Sequence, residues 1–268
     1  MPAFDLPAYL ARIGLAAVPV TPGGLQQLQQ AQLRRIAFEN IDPFLGRTPD
    51  LEVEALSAKL LHAGRGGYCF ELNTLFRAAL DACGFETRRL LARVRNGRPV
   101  AGPRGHLALM VTLDGRRYLA DAGFGGPAPL APLLIDTDSP QTLANGTYRL
   151  RTDRETGERL IEKDTPGGAF TLYGFDESHV SDADIDAANH LCARWDRMPF
   201  PNNLMLAGFN GATRIGVFNR RITRETGGTI RTGDIADARD LANLLTHELG
   251  LRLEPAALGA VWSRLSHA

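Results

Sequence analysis

The stretch Arg65-Gly66-Gly67-Tyr68-Cys69-Phe70-Glu71-Leu72-Asn73 constrains this chain most. It sets a cysteine just after a double glycine and at the start of an amphipathic run. Leu72, Leu75, Phe76, Ala79, Leu80 and Cys83 recur at spacings of three and four, the stripe of a helix with one buried face. Gly84 is a natural C-terminal stop for it. A thiol on the first turn of a helix meets unpaired backbone N–H groups and the positive end of the dipole, and both favour thiolate over thiol. The thiolate is the nucleophile, so the position suits covalent catalysis.

A nucleophilic cysteine needs a base, and the base needs an orienting acid. His106 opens the strand-like run His106 to Leu113, Asp114-Gly115 is a hairpin signal, and Arg116 to Asp121 reads as the return strand. With a two-residue loop, Leu113 faces Arg116, and counting back along the ladder sets Ala108 opposite Asp121. His106 lies two residues from Ala108 and shares its face. His106 and Asp121 thus become diagonal neighbours, within reach of a carboxylate–imidazole hydrogen bond. A one-residue slip would break this pairing by moving a side chain to the other face. The three residues match the template of nucleophile, base and orienter. The other cysteines, Cys83 and Cys192, read as small buried hydrophobes. His62, His179, His190, His247 and His267 read as structural.

Lys plus Arg equals Asp plus Glu at 30 each over 268 residues, a balance that argues against a general nucleic-acid surface or a polybasic membrane anchor. Arg88, Arg89, Arg93, Arg95 and Arg98 form a local basic cluster, read as a solvated face. The scattered cysteines make no zinc pattern and suit a reducing compartment, so no metal is expected. Asp5 and Arg12 interrupt the N-terminus, where a secretory signal would need a continuous apolar core. No segment approaches a membrane span. A cytoplasmic protein is the expectation.

The organisation reads as residues 1–85, mostly helical and carrying the cysteine; 86–188, strand-rich and carrying His106 and Asp121; a connecting segment 189–208; and 209–268, mixed. Helical windows cover Leu25 to Leu33 and Val53 to Leu61, and a helix is expected to begin around Ala193. Strands are expected at Arg214 to Ile222 and Thr229 to Thr232, then a helical pair at Ile235 to Leu249 and Pro255 to Leu265. Gly125-Gly126-Pro127-Ala128-Pro129 is a loop.

These motifs together resemble the arylamine N-acetyltransferase family. The resemblance rests on Arg65 to Glu71, on His106 at a strand start and on Asp121-Ala122-Gly123-Phe124-Gly125. It rests also on Phe38-Glu39-Asn40-Ile41, and it runs from about residue 5 to at least Phe218-Asn219-Arg220-Arg221. It implies an α+β fold: an N-terminal helical bundle, a central β-barrel and a C-terminal α/β lid around a core like that of cysteine proteases and transglutaminases. It implies acetyl transfer from acetyl-coenzyme A to an arylamine or arylhydrazine, in two halves, through acetyl-Cys69. Cys69, His106 and Asp121 would be catalytic. Gly123, Phe124, Gly125, Gly126 and Phe200 would meet the coenzyme. Phe38, Val94, Gly105 and Phe124 would line the acceptor pocket. No nucleic acid or membrane partner is implied, and the chain would be a monomer or homodimer. The glycines would let backbone approach the pantetheine arm. Two positions depart from the family pattern. Met198-Pro199-Phe200-Pro201 stands where a Pro-x-Ser precedes the aromatic, and Gly105 replaces a small hydroxyl residue, which is expected to leave space. The rival readings are a thiol hydrolase or transglutaminase-like enzyme and an amide synthase closing a macrolactam.

Overall fold

The computed structural model describes residues 4–266; His267 lies outside them. The chain opens with helices α1 (Leu6–Ile13) and α2 (Pro22–Arg35), a short strand β1 (Phe38–Glu39), a single turn α3 (Ile41–Phe44) and α4 (Val53–Leu56). The last continues in wider π-type turns over Ser57–His62, and α5 (Cys69–Cys83) follows. Each boundary has a local cause. Asp5 accepts the Ala8 N–H at 2.9 Å and Thr21 the Gly24 N–H at 3.1 Å, both N-cap bonds. Gly84, at φ +93°, ends α5 in the left-handed conformation that glycine tolerates.

The middle of the chain forms β2 (Glu86–Val94), β3 (Arg104–Leu113), β4 (Arg116–Ala120), β5 (Leu133–Leu134), β6 (Gln141–Leu143), β7 (Gly146–Thr152), β8 (Arg159–Thr165) and β9 (Gly168–Phe175). These build an eight-stranded antiparallel sheet in the order β5-β4-β3-β2-β9-β8-β7-β6. It curls until its two edges meet through a side chain. The Gln141 amide accepts the Leu134 N–H at 2.8 Å and donates to the Leu134 carbonyl at 3.0 Å. Strand β3 is buried on both faces, with period two. Leu107, Leu109, Val111 and Leu113 join the helical core with Leu75 and Phe76, while Ala108 and Met110 join the barrel core with Leu150 and Leu172. At the turn, Asp114 and Gly115 both take positive φ, and Leu113 faces Arg116 as expected.

Helix α6 (Asp182–Arg194) leads to β10 (Met205–Asn210), β11 (Thr213–Phe218), β12 (Arg221–Thr226) and β13 (Thr229–Asp234), and α7 (Ala238–Asn243) and α8 (Pro255–Ser266) close the chain. The second sheet runs β1-β10-β11-β12-β13, so residues 38–39 are its first strand, although they lie far away in sequence. A third core under it gathers Phe44, Leu206, Ile215, Leu241 and Val261.

Three expectations are corrected here. The helix expected near Ala193 begins at Asp182 and ends at Arg194, with Ser181 and Asp184 capping each other at its start. The strand expected over Arg214 to Ile222 is two strands, because Asn219 at φ +54° turns the chain. The arginine cluster is not uniformly solvated: Arg95 is 7% exposed and bonds Glu158 at 2.9 Å and Asp153 at 3.1 Å.

Phe76, fully buried on α5, should show how firmly the helical core holds the cysteine helix. Phe76→Ala is expected to cost about 3–5 kcal/mol in urea unfolding. A loss below about 1 kcal/mol would mean that α5 is held by something other than this core.

Candidate active site

The start of α5 is fixed from below. Residues 37–39 cross the double glycine closely enough for Glu39 N–H to donate to the Gly67 carbonyl at 2.9 Å. A Cβ on Gly66 would stand 2.1 Å from the Ala37 carbonyl oxygen, and one on Gly67 2.8 Å from Glu71 Cβ. No side chain fits at either position. Glu71 folds back to accept the Tyr68 N–H at 3.1 Å, meeting one orphan donor of the helix start.

Beneath it lies a nearly dry ion network. Lys59 Nζ reaches Glu71 at 2.6 Å and Asp42 at 2.5 Å, while Arg65 reaches Glu39 at 2.6 Å and Asp42 at 3.3 Å. Burial pushes the Glu71 carboxyl up to about 7 in spite of Lys59. Burial works against a charged Lys59, but Glu39, Glu71 and Asp42 outweigh it and hold the ammonium on. Removing one partner of such a network leaves a buried charge uncompensated, typically at about 3–5 kcal/mol.

Cys69 occupies the first position of α5, His106 lies near the start of β3, and Asp121 follows β4 directly. All three are 3% exposed or less. The hairpin register holds without a slip, and His106 Nε2 lies 2.7 Å from Asp121 Oδ2. Nε2 is thereby committed, and Nδ1 is the nitrogen left for the thiol, which is the imidazole's hydrogen-bonding neighbour. Asp121 accepts four hydrogen bonds: from His106 and from the Tyr173 hydroxyl at 2.8 Å on Oδ2, and from Asn73 Nδ2 and Gly123 N–H at 2.9 Å each on Oδ1. Burial alone would raise its pKa, but His106, Asn73 and Gly123 hold it below the ordinary value. Burial likewise works against a charged imidazole, and Asp121 overrides it, pushing His106 up to about 10.

The thiol does not follow the simple expectation from the helix start. Burial pushes Cys69 up, while His106 and the Leu107 backbone N–H pull it down. Burial prevails, so the helix terminus does not by itself deliver a thiolate, and His106 is the group that opposes the rise most strongly.

The other residues singled out by sequence gather unevenly. Phe124 sets its ring edge on His106 at a centroid distance of 5.1 Å and also packs on Tyr173. Phe200 contacts Tyr68 at 5.4 Å and Phe38 at 6.2 Å. Val94 stands at the surface, 37% exposed, joined to the site through its ladder partner Tyr173.

One expectation about glycine is corrected. Gly105 does not leave space: a Cβ there would lie 3.0 Å from both Cys192 Sγ and Met198 Cε, which already fill the volume. The loop glycines are taken up by the chain's own groups. A Cβ on Gly123 would stand 2.7 Å from Asn73 Nδ2 and 3.1 Å from Cys69 Cα, one on Gly125 2.5 Å from the Phe38 ring, and one on Gly126 2.9 Å from the Phe124 ring. They bring the loop backbone close against these groups.

Asn73, Tyr173 and Gln29 were missed from the sequence. Asn73 bridges the Leu107 carbonyl at 2.6 Å, Asp121, and the Ala122 N–H at 2.9 Å. It stands one helical turn after Cys69, so the i, i+4 spacing could have pointed to it. Gln29 accepts the Asp121 N–H at 3.1 Å. Nothing local in the sequence ties Gln29 or Tyr173 to Asp121.

Fold and site together define an α+β protein with a buried Cys-His-Asp row. The N-acetyltransferase family model matches residues 23–258. The arylamine N-acetyltransferase / N-hydroxyarylamine O-acetyltransferase of Salmonella typhimurium is 32% identical over 265 residues, covering 97% of this chain and 94% of that one. A solved structure of arylamine N-acetyltransferase from the same organism superimposes with a TM-score of 0.90 over 98% of this chain and 99% of that one. The Mycobacterium marinum arylamine N-acetyltransferase in complex with CoA gives 0.91, at 30% identity, over 98% and 99%. This chain belongs to the arylamine N-acetyltransferase family.

Asp121→Asn tests the geometry. Each carboxylate oxygen of Asp121 faces two donors. Either orientation of an amide would turn its NH₂ against a pair of N–H or O–H groups. The substitution should cut the acetyl-transfer rate by about 10⁴-fold, as in a serine triad, with the fold retained by circular dichroism. A near-normal rate would show that His106 is oriented by another group.

Proposed function

We propose that this chain moves an acetyl group from acetyl-coenzyme A to an arylamine or arylhydrazine through an acetyl thioester on Cys69. The observation that carries this reading is the buried row of Cys69, His106 and Asp121 joined at the 2.7 Å imidazole–carboxylate contact. The names of the relatives, and the CoA held by the Mycobacterium marinum protein, support the substrate class.

In the first half-reaction, Cys69 has already given its proton to His106 Nδ1, forming a thiolate–imidazolium pair, while Asp121 accepts the Nε2–H. The thiolate attacks the acetyl carbonyl. The tetrahedral adduct collapses, the coenzyme leaves as its thiol, and the proton on His106 goes to that sulfur. In the second, an amine attacks the acetyl-cysteine and gives its proton to His106, and Cys69 is released. Donor and acyl-enzyme are both thioesters, so the first transfer is nearly balanced. The oxyanion formed in each half needs donors, and the Cys69 backbone N–H, on the first turn of α5, supplies one.

Substrates must displace covering aromatics, because the trio is sealed from solvent. Phe124 and Phe200, both half-buried, are the side chains placed to move. On this reading Gly123, Phe124, Gly125, Gly126 and Phe200 border the coenzyme arm, and Phe38, Val94 and Phe124 border the acceptor.

Intact mass spectrometry tests the order of events. With acetyl-coenzyme A and no amine, the protein should gain one acetyl group, absent in Cys69→Ala, and an arylhydrazine should discharge it. Steady-state plots should be parallel. A protein that never carries the adduct and gives intersecting plots would point to direct transfer in a ternary complex.

A further inference from the structure

Cys69 does not face the carbonyl of Gly105 alone. Its Sγ lies 3.8 Å from that oxygen, and the Sγ of Cys192, in the last turn of α6, lies 3.4 Å from the same atom. Both thiols are buried. Both approach a residue that has no side chain, and a Cβ there would press on Cys192 Sγ at 3.0 Å. A second contact pins the two helices together beside them. The Tyr68 hydroxyl, one residue before Cys69, bonds the Asn189 carbonyl at 3.2 Å, one turn before Cys192. Acetyl transfer uses only one of these sulfurs.

We propose that Cys192 is a resolving thiol for Cys69, and that hydroperoxide converts the pair into a disulfide which switches the enzyme off reversibly. The inference rests on Cys69 being the reactive thiol of the proposed reaction. The Cys69 thiolate attacks the peroxide O–O bond and forms an S–O bond. One oxygen stays as sulfenic acid, and the other leaves as hydroxide and takes the proton of His106 to become water. The Cys192 sulfur then attacks Cys69, the S–O bond breaks, and the sulfenic oxygen leaves as a second water with the Cys192 proton. Each cysteine is oxidised by one electron and the peroxide is reduced by two. A dithiol reverses the change. Burial pushes the Cys192 thiol up to about 12, so it stays protonated in the resting enzyme and does not compete for acetyl groups. The third cysteine offers no alternative. Cys83 lies at the far end of α5, roughly 21 Å from Cys69 along the helix, beyond the reach of a disulfide.

The test is hydrogen peroxide treatment of the full chain, then digestion without reductant. Activity should fall, a Cys69–Cys192 linked peptide should appear, and dithiothreitol should restore nearly all activity. Cys192→Ser should lose activity at the same peroxide level, yield a dimedone adduct on Cys69, and recover several-fold less as the sulfenic acid oxidises further. Absence of the linked peptide, with equal recovery in the two proteins, would overturn the proposal. If Cys192→Ser does not fold, the digest of the unsubstituted chain decides alone. Preloading with acetyl-coenzyme A should block the cross-link. A cross-link that forms regardless would uphold the disulfide and count against the acetyl-Cys69 reading.

Discussion

The buried carboxylate of Asp121 is where the structure is tied together. Its four accepted hydrogen bonds come from α5 through Asn73, from β3 through His106, from β9 through Tyr173 and from its own loop through Gly123. Its backbone N–H adds α2 through Gln29. A charge this deep is stable only when each lone pair is met, so every element that supplies a donor is held in place by the same requirement. The imidazole inherits that order. With Nε2 bound to a fixed anion, the ring has one orientation, and its charged form is favoured over the neutral one.

A second constraint works from beneath the nucleophile. The double glycine lets strand β1 press on residues 66 and 67, and the network of Lys59, Arg65, Glu39, Asp42 and Glu71 locks that crossing. β1 also belongs to the C-terminal sheet. The position of the cysteine is therefore set by all three parts of the chain: the helices that carry it, the barrel that carries its base, and the sheet that braces the turn before it. Neighbouring thiols on the Gly105 carbonyl follow from the same close packing.

Much of the site was legible because its key contact is local. Asp114-Gly115 fixes the hairpin, the hairpin fixes the register, and the register sets His106 beside Asp121 with no long-range information. The amphipathic stripe of α5 and its glycine stop were equally plain. What could not be read was set by closure of the barrel and by packing between parts. Tyr173 meets Asp121 only because β9 pairs with β2, and Arg95 is buried only because the turn between β7 and β8 supplies Glu158 and Asp153. Gly105 suggested open space, but the neighbours that fill it, Cys192 and Met198, lie far off in sequence. Other misses were of signals present and not used: the Ser181–Asp184 cap of α6, and Asn73 one turn after Cys69.

The central claim is that Asp121 keeps His106 charged beside the nucleophile. Long-range proton–nitrogen spectra of the histidine-labelled protein read this directly. The account predicts that both ring nitrogens of His106 stay protonated across neutral pH, with Nε2–H in a strong hydrogen bond, and that the ring loses its proton only as pH approaches about 10. An imidazole that titrates near its ordinary value of about 6.5 would contradict it.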